Sequence, residues 1–248
     1  MTMAGQEAPR GGELAGQVVV VIGGSAGIGL ETARLARAQG AEVIIAARDR
    51  GKLDAAARET GAARAASLDA LDPAAVRDFF AGLGPVDHVL VTAGGPSYRP
   101  LLEMDASAVK DGLAGHVATA LDVAQGAVPV MRPTGTLLFI GGTSGRQVRR
   151  GQGIFSAATA ALPPFVASLA VETAPVRANL IACGFVDTPL SAALLGDQLE
   201  ARRAELRATL PIGRVVTPAD VARLAVHVMA NTALTGATFD IDGGQQFT

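Results

Sequence analysis

Five short runs of nearly unbroken aliphatic residues recur along the chain: QVVVVI (17–22), EVIIAA (42–47), HVLV (88–91), TLLFI (136–140) and ANLIA (178–182). A strand with one wet face alternates apolar and polar residues. Runs without alternation belong to strands covered on both faces, as in a parallel sheet. Parallel strands need long crossovers, and helical patterns at 28–39, 50–59, 73–82, 105–131, 155–173 and 217–230 supply them. The expected fold is therefore α/β: a single doubly wound Rossmann-type domain with a central parallel β-sheet flanked by helices. No internal repeat or Gly/Pro/Ser-rich linker divides the 248 residues, enough for one large core. With 49% hydrophobic but only 4% aromatic residues, that core is aliphatic. Residues 1–15, beginning MTMAGQEAPRGG, lack the apolar stretch of a secretory signal and read as a flexible tail before the 16–248 domain. The segment 189–210 (PLSAALLGDQLEARRAELRATL) reads as a helical insertion, placed to act as a lid over a ligand, and its apolar residues suggest a nonpolar one.

Composition excludes several classes of partner. A net charge of -2 and a pI near 5.9 leave no electrostatic footprint for nucleic acid. The single cysteine, Cys183, excludes an internal disulfide, and no metal site is expected. No apolar run approaches the roughly 20 residues needed to cross a membrane. A soluble, cytoplasmic protein whose partner is a small molecule is the expectation.

The first apolar run leads straight into GGSAGIG, comprising Gly23, Gly24, Ser25, Ala26, Gly27, Ile28 and Gly29, and then into a helical pattern. Glycines at 23, 27 and 29 permit a tight turn and let a pyrophosphate approach the backbone, while the helix start offers N–H donors and a partial positive charge. The second run ends at Ala47 followed by Arg48. An acidic residue at such a tip would accept hydrogen bonds from a ribose 2′-hydroxyl, whereas a guanidinium suits a 2′-phosphate. The residues favour NADP(H) over NAD(H), with a solvated surface arginine as the plain alternative.

From about residue 16 to the C-terminus the chain resembles the short-chain dehydrogenase/reductase family. The glycine loop has the family's G-x-x-x-G-x-G spacing, and LDALD (68–72) is similar to its adenine-contacting strand end, which implies Leu68 and Asp69 at the adenine. VDHVLVTAGG (86–95) is similar to the strand ending in Asn-Asn-Ala-Gly, here Val91-Thr92-Ala93-Gly94 with Gly95 following. ANLIACGFVDTPL (178–190) resembles the segment that approaches the nicotinamide carboxamide, implying Gly184, Val186 and Thr188, with Cys183 in place of a proline. LTGATFDIDGG (234–244) is similar to the closing strand. The resemblance also implies a homo-oligomer, dimer or tetramer, paired through the two long helices near 105–131 and 155–173.

Family members use a Tyr as proton donor, a Lys four residues later, a Ser that orients the substrate and an Asn that completes a water relay. On this chain those positions fall on Phe155, Thr159, Gly142 and His116. The only tyrosine is Tyr98 and the only lysines are Lys52 and Lys110, so no shift of register restores a Tyr-x-x-x-Lys. IFSAATAALPPF (154–165) is the corresponding helix without its chemistry, and Pro163 with Pro164 predicts a kink or restart near residue 162. The remaining catalytic candidates are His116, which titrates near neutrality, and Ser144 beside Thr143. Each has an ordinary structural alternative, a packed histidine and a turn-capping hydroxyl. Tyr98, in the turn-like PSYRP, is a further pocket candidate. Arg146, Arg149 and Arg150 could meet an anion, although a loop charge run is ordinarily solvated. Two functions remain open: an oxidoreductase for a carbonyl/alcohol pair using an atypical proton route, and a catalytically silent NADP(H)-binding protein serving as redox sensor or partner subunit.

Overall fold

The structure, a computed structural model, describes residues 11–92, 94–95, 98–146 and 149–248. The strands are β1 (Val18–Ile22), β2 (Glu42–Ala47), β3 (Arg64–Ser67), β4 (Val86–Val91), β5 (Met131–Gly142), β6 (Arg177–Cys183) and β7 (Thr238–Ile241). The helices are α1 (Gly27–Ala38), α2 (Arg50–Thr60), α3 (Pro73–Ala81), α4 (Ala106–Ala127), α5 (Gly153–Glu172), α6 (Pro189–Leu195), α7 (Leu199–Thr209) and α8 (Pro218–Ala230).

All seven strands join one parallel sheet in the order β3-β2-β1-β4-β5-β6-β7. The order reverses between β1 and β4, the switch point at which open α/β sheets bind ligands outside the carboxyl ends of their strands. Register puts those ends in a row: Ile22 lies opposite Ala46 and Val91, Val91 opposite Phe139, and Gly142 opposite Cys183. One aliphatic cluster packs beneath α3, α4 and α5 around Val89, Val123 and Val166. The other packs beneath α1, α2 and α8 around Val21, Ala33 and Val221.

The aliphatic runs locate β1, β2, β4, β5 and β6. They do not show β3 (RAAS) or β7 (TFDI), which are edge strands with only one neighbour and no wholly buried face to fill. The helical pattern at 105–131 overreaches. Helix α4 stops at Ala127, a 3-10 turn with Pro129 intervenes, and Met131 already begins β5. The expected lid is two helices, α6 and α7, with a 3-10 turn between them.

Three further expectations need correction. Helix α5 does not restart at its prolines; it is one element from Gly153 to Glu172 with Pro163 and Pro164 inside it. Each interior proline costs about 3 kcal/mol. Burial of Leu162, Val166 and Leu169 in the same turns offsets this at about 1.5–3 kcal/mol per side chain. That helix is also long and apolar enough, at 20 residues and hydropathy 1.7, to meet the length test for a membrane span. Here, however, it packs on the sheet as a core helix. Finally, the described part of the expected tail is anchored. Leu14 is fully buried and its N–H donates to the Gln39 carbonyl, while the Gly16 N–H donates to that of Gly40; residues 1–10 lie outside the described residues.

Buried polar groups tie the layers together. Arg177, nearly inaccessible on β6, donates to the carbonyls of Val228, Met229 and Leu234, satisfying the C-terminal end of α8. His88 on β4 is buried, and its Nε2 lies 2.5 Å from Gln17 Oε1. Its Nδ1 has no partner, as befits a neutral ring that donates through Nε2. Burial holds this imidazole at a pKa of about 4, so it stays neutral where an unfolded histidine near 6.5 would take a proton. Between those two pH values the unfolded chain binds more protons, and stability must fall as pH falls. The expected loss from pH 7 to pH 4 is on the order of 3 kcal/mol from this group. Urea unfolding of wild type and His88→Leu should show the difference in stability between them narrowing by that amount over the window. A constant difference would mean that His88 is not held neutral.

Candidate functional site

The chemistry expected of the sequence gathers at the carboxyl ends of β1, β4, β5 and β6. Helix α1, like α5 and α7, starts without a side-chain cap. The helices α2, α3, α4 and α6 are each capped by a side chain, Asp49, Asp72, Asp105 and Thr188 respectively. Helix α1 has Ala26 at that position, no side-chain cap and no acidic residue in its first turn. Its first N–H groups and its positive dipole end are thus left for an anion from outside. Gly23 and Gly27 adopt positive φ, 88° and 54°. A Cβ on Gly29 would stand 2.3 Å from the Gly23 carbonyl oxygen, so only glycine lets the helix begin this close to β1. Ser25 and Ile28 complete the loop, and Ile28 reaches the cleft described below. These residues fit a dinucleotide pyrophosphate.

At the tip of β2, Arg48 is exposed and forms no ion pair among the described residues. Leu68 is buried, and its N–H donates to the Ala47 carbonyl, which places the β3 end beside Arg48. Asp69 is exposed, and one carboxylate oxygen accepts from the Leu71 N–H. Ala93 lies outside the described residues. The Thr92 hydroxyl bridges the switch point, lying 3.1 Å from the Ile22 carbonyl and 3.3 Å from that of Gly23.

The other half of the site is a cleft of about 430 Å³. Gly94, Gly95, His116, Gly142, Ser144, Phe155, Thr159, Gly184, Val186 and Thr188 all line it. A Cβ placed on Gly142 would lie 3.5 Å from each of Phe155 Cζ, Thr159 Cγ2 and Ser144 Oγ. Gly142, Phe155 and Thr159 therefore lie together. The hydroxyl of Ser144 stands next to where a residue-142 side chain would begin.

Phe155 sits between two rings. Tyr98 meets it edge-on with centroids 5.7 Å apart, and His116 lies at 5.6 Å, tilted by 60°. Thr159 is buried, and its hydroxyl lies 3.0 Å from the Phe155 carbonyl and 3.0 Å from Ser144 Oγ. Burial lowers the His116 pKa from its ordinary value, so the ring is neutral at pH 7. Burial raises the Tyr98 pKa, while the charges of Arg149 and Arg202 pull it back. The Cys183 thiol on the cleft wall is pushed up to about 12 by burial and is inert as a nucleophile.

The loop arginines divide. Arg146 pairs with Asp240 and Gln246, and Arg150 is exposed. Arg149 is exposed, as expected of a loop arginine, and also lines the cleft. The sequence offered no signal for Gln152, Arg202 or Gln245, which line the cleft from three separated elements. Gln245 accepts from the Phe185 N–H, holding the C-terminal segment over Gly184.

Comparison with known proteins extends this geometry. The family model described as enoyl-(acyl carrier protein) reductase matches residues 23–246. An uncharacterized oxidoreductase of Mycobacterium tuberculosis is 34% identical over 93% of this chain and 92% of its own length. The crystal structure of BdcA in complex with NADPH superposes with a TM-score of 0.84 at 28% identity, covering 94% of this chain and 96% of that one. A short chain oxidoreductase from Pseudomonas aeruginosa PAO1, described as containing an atypical catalytic center, also gives 0.84 at 28% identity. Coverage there is 93% of this chain and 97% of the other.

Gly27 provides the test of the anion cradle. Its φ of 54° disfavours any L side chain, and an added Cβ would press on Thr188 Cγ2 at 3.3 Å. Gly27→Val should remain folded, destabilised by about 1–2 kcal/mol, and lose at least tenfold in NADPH affinity by fluorescence titration. Full affinity in the folded variant would place the phosphates elsewhere.

Proposed function

The chain belongs to the short-chain dehydrogenase/reductase family, and on that premise we propose that it is an NADP(H)-dependent oxidoreductase for a carbonyl/alcohol pair whose proton route bypasses the family's Tyr and Lys. The observation that carries this reading is the placement of Ser144. Its hydroxyl lies 3.5 Å from the Cβ position of residue 142, in one cleft with the neutral His116 ring.

The uncapped start of α1 would hold the pyrophosphate, Arg48 the 2′-phosphate, and Gly184, Val186 and Thr188 the nicotinamide end. When bound, the cofactor supplies or receives a hydride at the substrate carbon. The Thr159 hydroxyl has helix carbonyls to donate to, Phe155 and Ser156, so the Ser144 proton can turn from Thr159 to the substrate oxygen. His116, held neutral by burial, takes the proton of an alcohol during oxidation. The same lowered pKa makes its imidazolium a stronger acid when it returns the proton during reduction.

The alternative, a silent NADP(H)-binding protein, draws on one feature. Thr159 puts no cation under the ribose, and the sequence has no lysine beyond Lys110.

Cofactor choice is tested at Arg48. NADPH should bind wild type more tightly than NADH, and Arg48→Ala should erase at least tenfold of that preference. Equal affinities in wild type would remove the 2′-phosphate assignment.

Proton transfer is tested through pH. Oxidation requires neutral His116, so kcat/KM for an alcohol should fall as pH drops through a value below 6.5. His116→Asn should lose that acid limb and about 10²–10⁴-fold in kcat. A cofactor-loaded wild type that turns over no member of a ketone and alcohol panel would establish the silent reading instead.

A further inference from the structure

Charge in the cleft is one-sided. Among the described residues that line it there is no aspartate or glutamate, whereas Arg149 and Arg202 both do so. They come from separate elements, the loop after β5 and the lid helix α7, and line the same cleft as Tyr98, on which both charges act. Arg202 is largely withdrawn from water, with 16% of its side chain exposed, and pairs with Glu205 at 2.7 Å. Glu205 itself is 56% exposed and faces outward, away from the lining, so it satisfies one edge of the guanidinium and leaves other donors to the cleft.

Tyr98 and Gln152 add neutral donors at the same mouth. Next to them the lid turns apolar. Leu190 and Leu194 of α6 line the cleft with about half of their surface exposed. Half-exposed leucines beside converging guanidiniums are a surface for an amphipathic molecule, with an anion at one end and hydrocarbon at the other. Each component alone would be unremarkable surface; what singles them out is convergence from the loop after β5, α6 and α7 on one concavity whose described lining residues include no carboxylate.

We propose that the substrate carries a carboxylate, seated between Arg149 and Arg202 beside Tyr98, and an apolar body lying against Leu190 and Leu194. The proposal rests on the reading of this cleft as the substrate site. Fork-shaped guanidiniums meet a carboxylate through paired charge-assisted hydrogen bonds, and the pair is stronger where water is partly excluded. The cofactor's own phosphates are the other source of such an anion, and the test separates the two.

The probes are octanoate and octanamide, matched in shape and different in charge. Isothermal titration calorimetry with the full chain, in saturating NADPH and without it, reads their affinities. Octanoate should bind about tenfold or more tightly than octanamide in both conditions, and raised salt should shrink the gap. Arg149→Gln and Arg202→Gln should each remove most of the preference while NADPH affinity and melting temperature hold. Arg149→Gln, at an exposed loop position, keeps the test decisive should the more enclosed Arg202→Gln fold poorly. Equal affinity for the two probes, or a preference untouched by Arg149→Gln, overturns the proposal. Competition between octanoate and NADPH also overturns it, by assigning the arginines to the cofactor. Failure of NADPH to bind would strike only the proposed function, because the comparison without cofactor still reads the carboxylate preference.

Discussion

The close approach of α1 to the end of β1 is the constraint on which the rest of the site depends. It exists because Gly29 has no Cβ: an added one would overlap the Gly23 carbonyl at 2.3 Å and crowd Thr92 Oγ1 at 3.0 Å. With that contact allowed, Thr92 can reach both the Ile22 and Gly23 carbonyls and pin β4 to the loop. The loop then has one shape, and the helix N-terminus one direction, at the point where the sheet order reverses. The lid is referred to the same place, since Thr188 caps α6 and packs where a Gly27 side chain would stand. The binding half of the site is therefore fixed by backbone contacts that do not need the catalytic side chains.

That independence explains how the reactive half can be replaced without loss of architecture. Phe155 occupies its position with a ring packed between Tyr98 and His116, an arrangement worth about 0.5–1.5 kcal/mol per favourable aromatic pair beyond the area buried. Thr159 satisfies its own hydroxyl within the helix and with Ser144. A lysine there would need an acceptor in the cleft, and a buried unpaired ammonium is costly. Helix α5 can carry Pro163 and Pro164 for a related reason. Its attachment comes from one buried apolar stripe, which survives the missing donors that would have gone to Thr159 and Ala160.

What the sequence made legible follows from the same physics. Central strands announce themselves because both faces are buried, whereas β3 and β7, each with a free edge, carry no continuous apolar run. The glycine loop is legible because its demands on φ and close contact admit one residue type. Gly142, Phe155 and Thr159, named together from the resemblance, are neighbours in the structure because β5 and α5 pack side by side. By contrast, Arg202 and Arg149 looked like any other arginines in an arginine-rich chain. Whether such a side chain faces water or a cleft depends on how a loop and a lid fold over, and no local pattern encodes that. The continuity of α5 past its prolines is not legible locally, because the tertiary burial that opposes the proline cost is not encoded beside them.

The electrostatics of the cleft link its two halves. Its floor is neutral: Gly142, Thr159 and an un-ionised Cys183 thiol whose pKa is about 12. Its cations, Arg149 and Arg202, line the cleft from the loop after β5 and from α7, and the ring their charges act on is Tyr98, whose pKa they pull down against burial. For His116 burial is the cause of the lowered pKa. The phenol and the imidazole flank the same Phe155 ring, so two titratable groups on either side of one aromatic side chain take their protonation from different sources, the phenol from nearby charge as well as burial and the imidazole from burial.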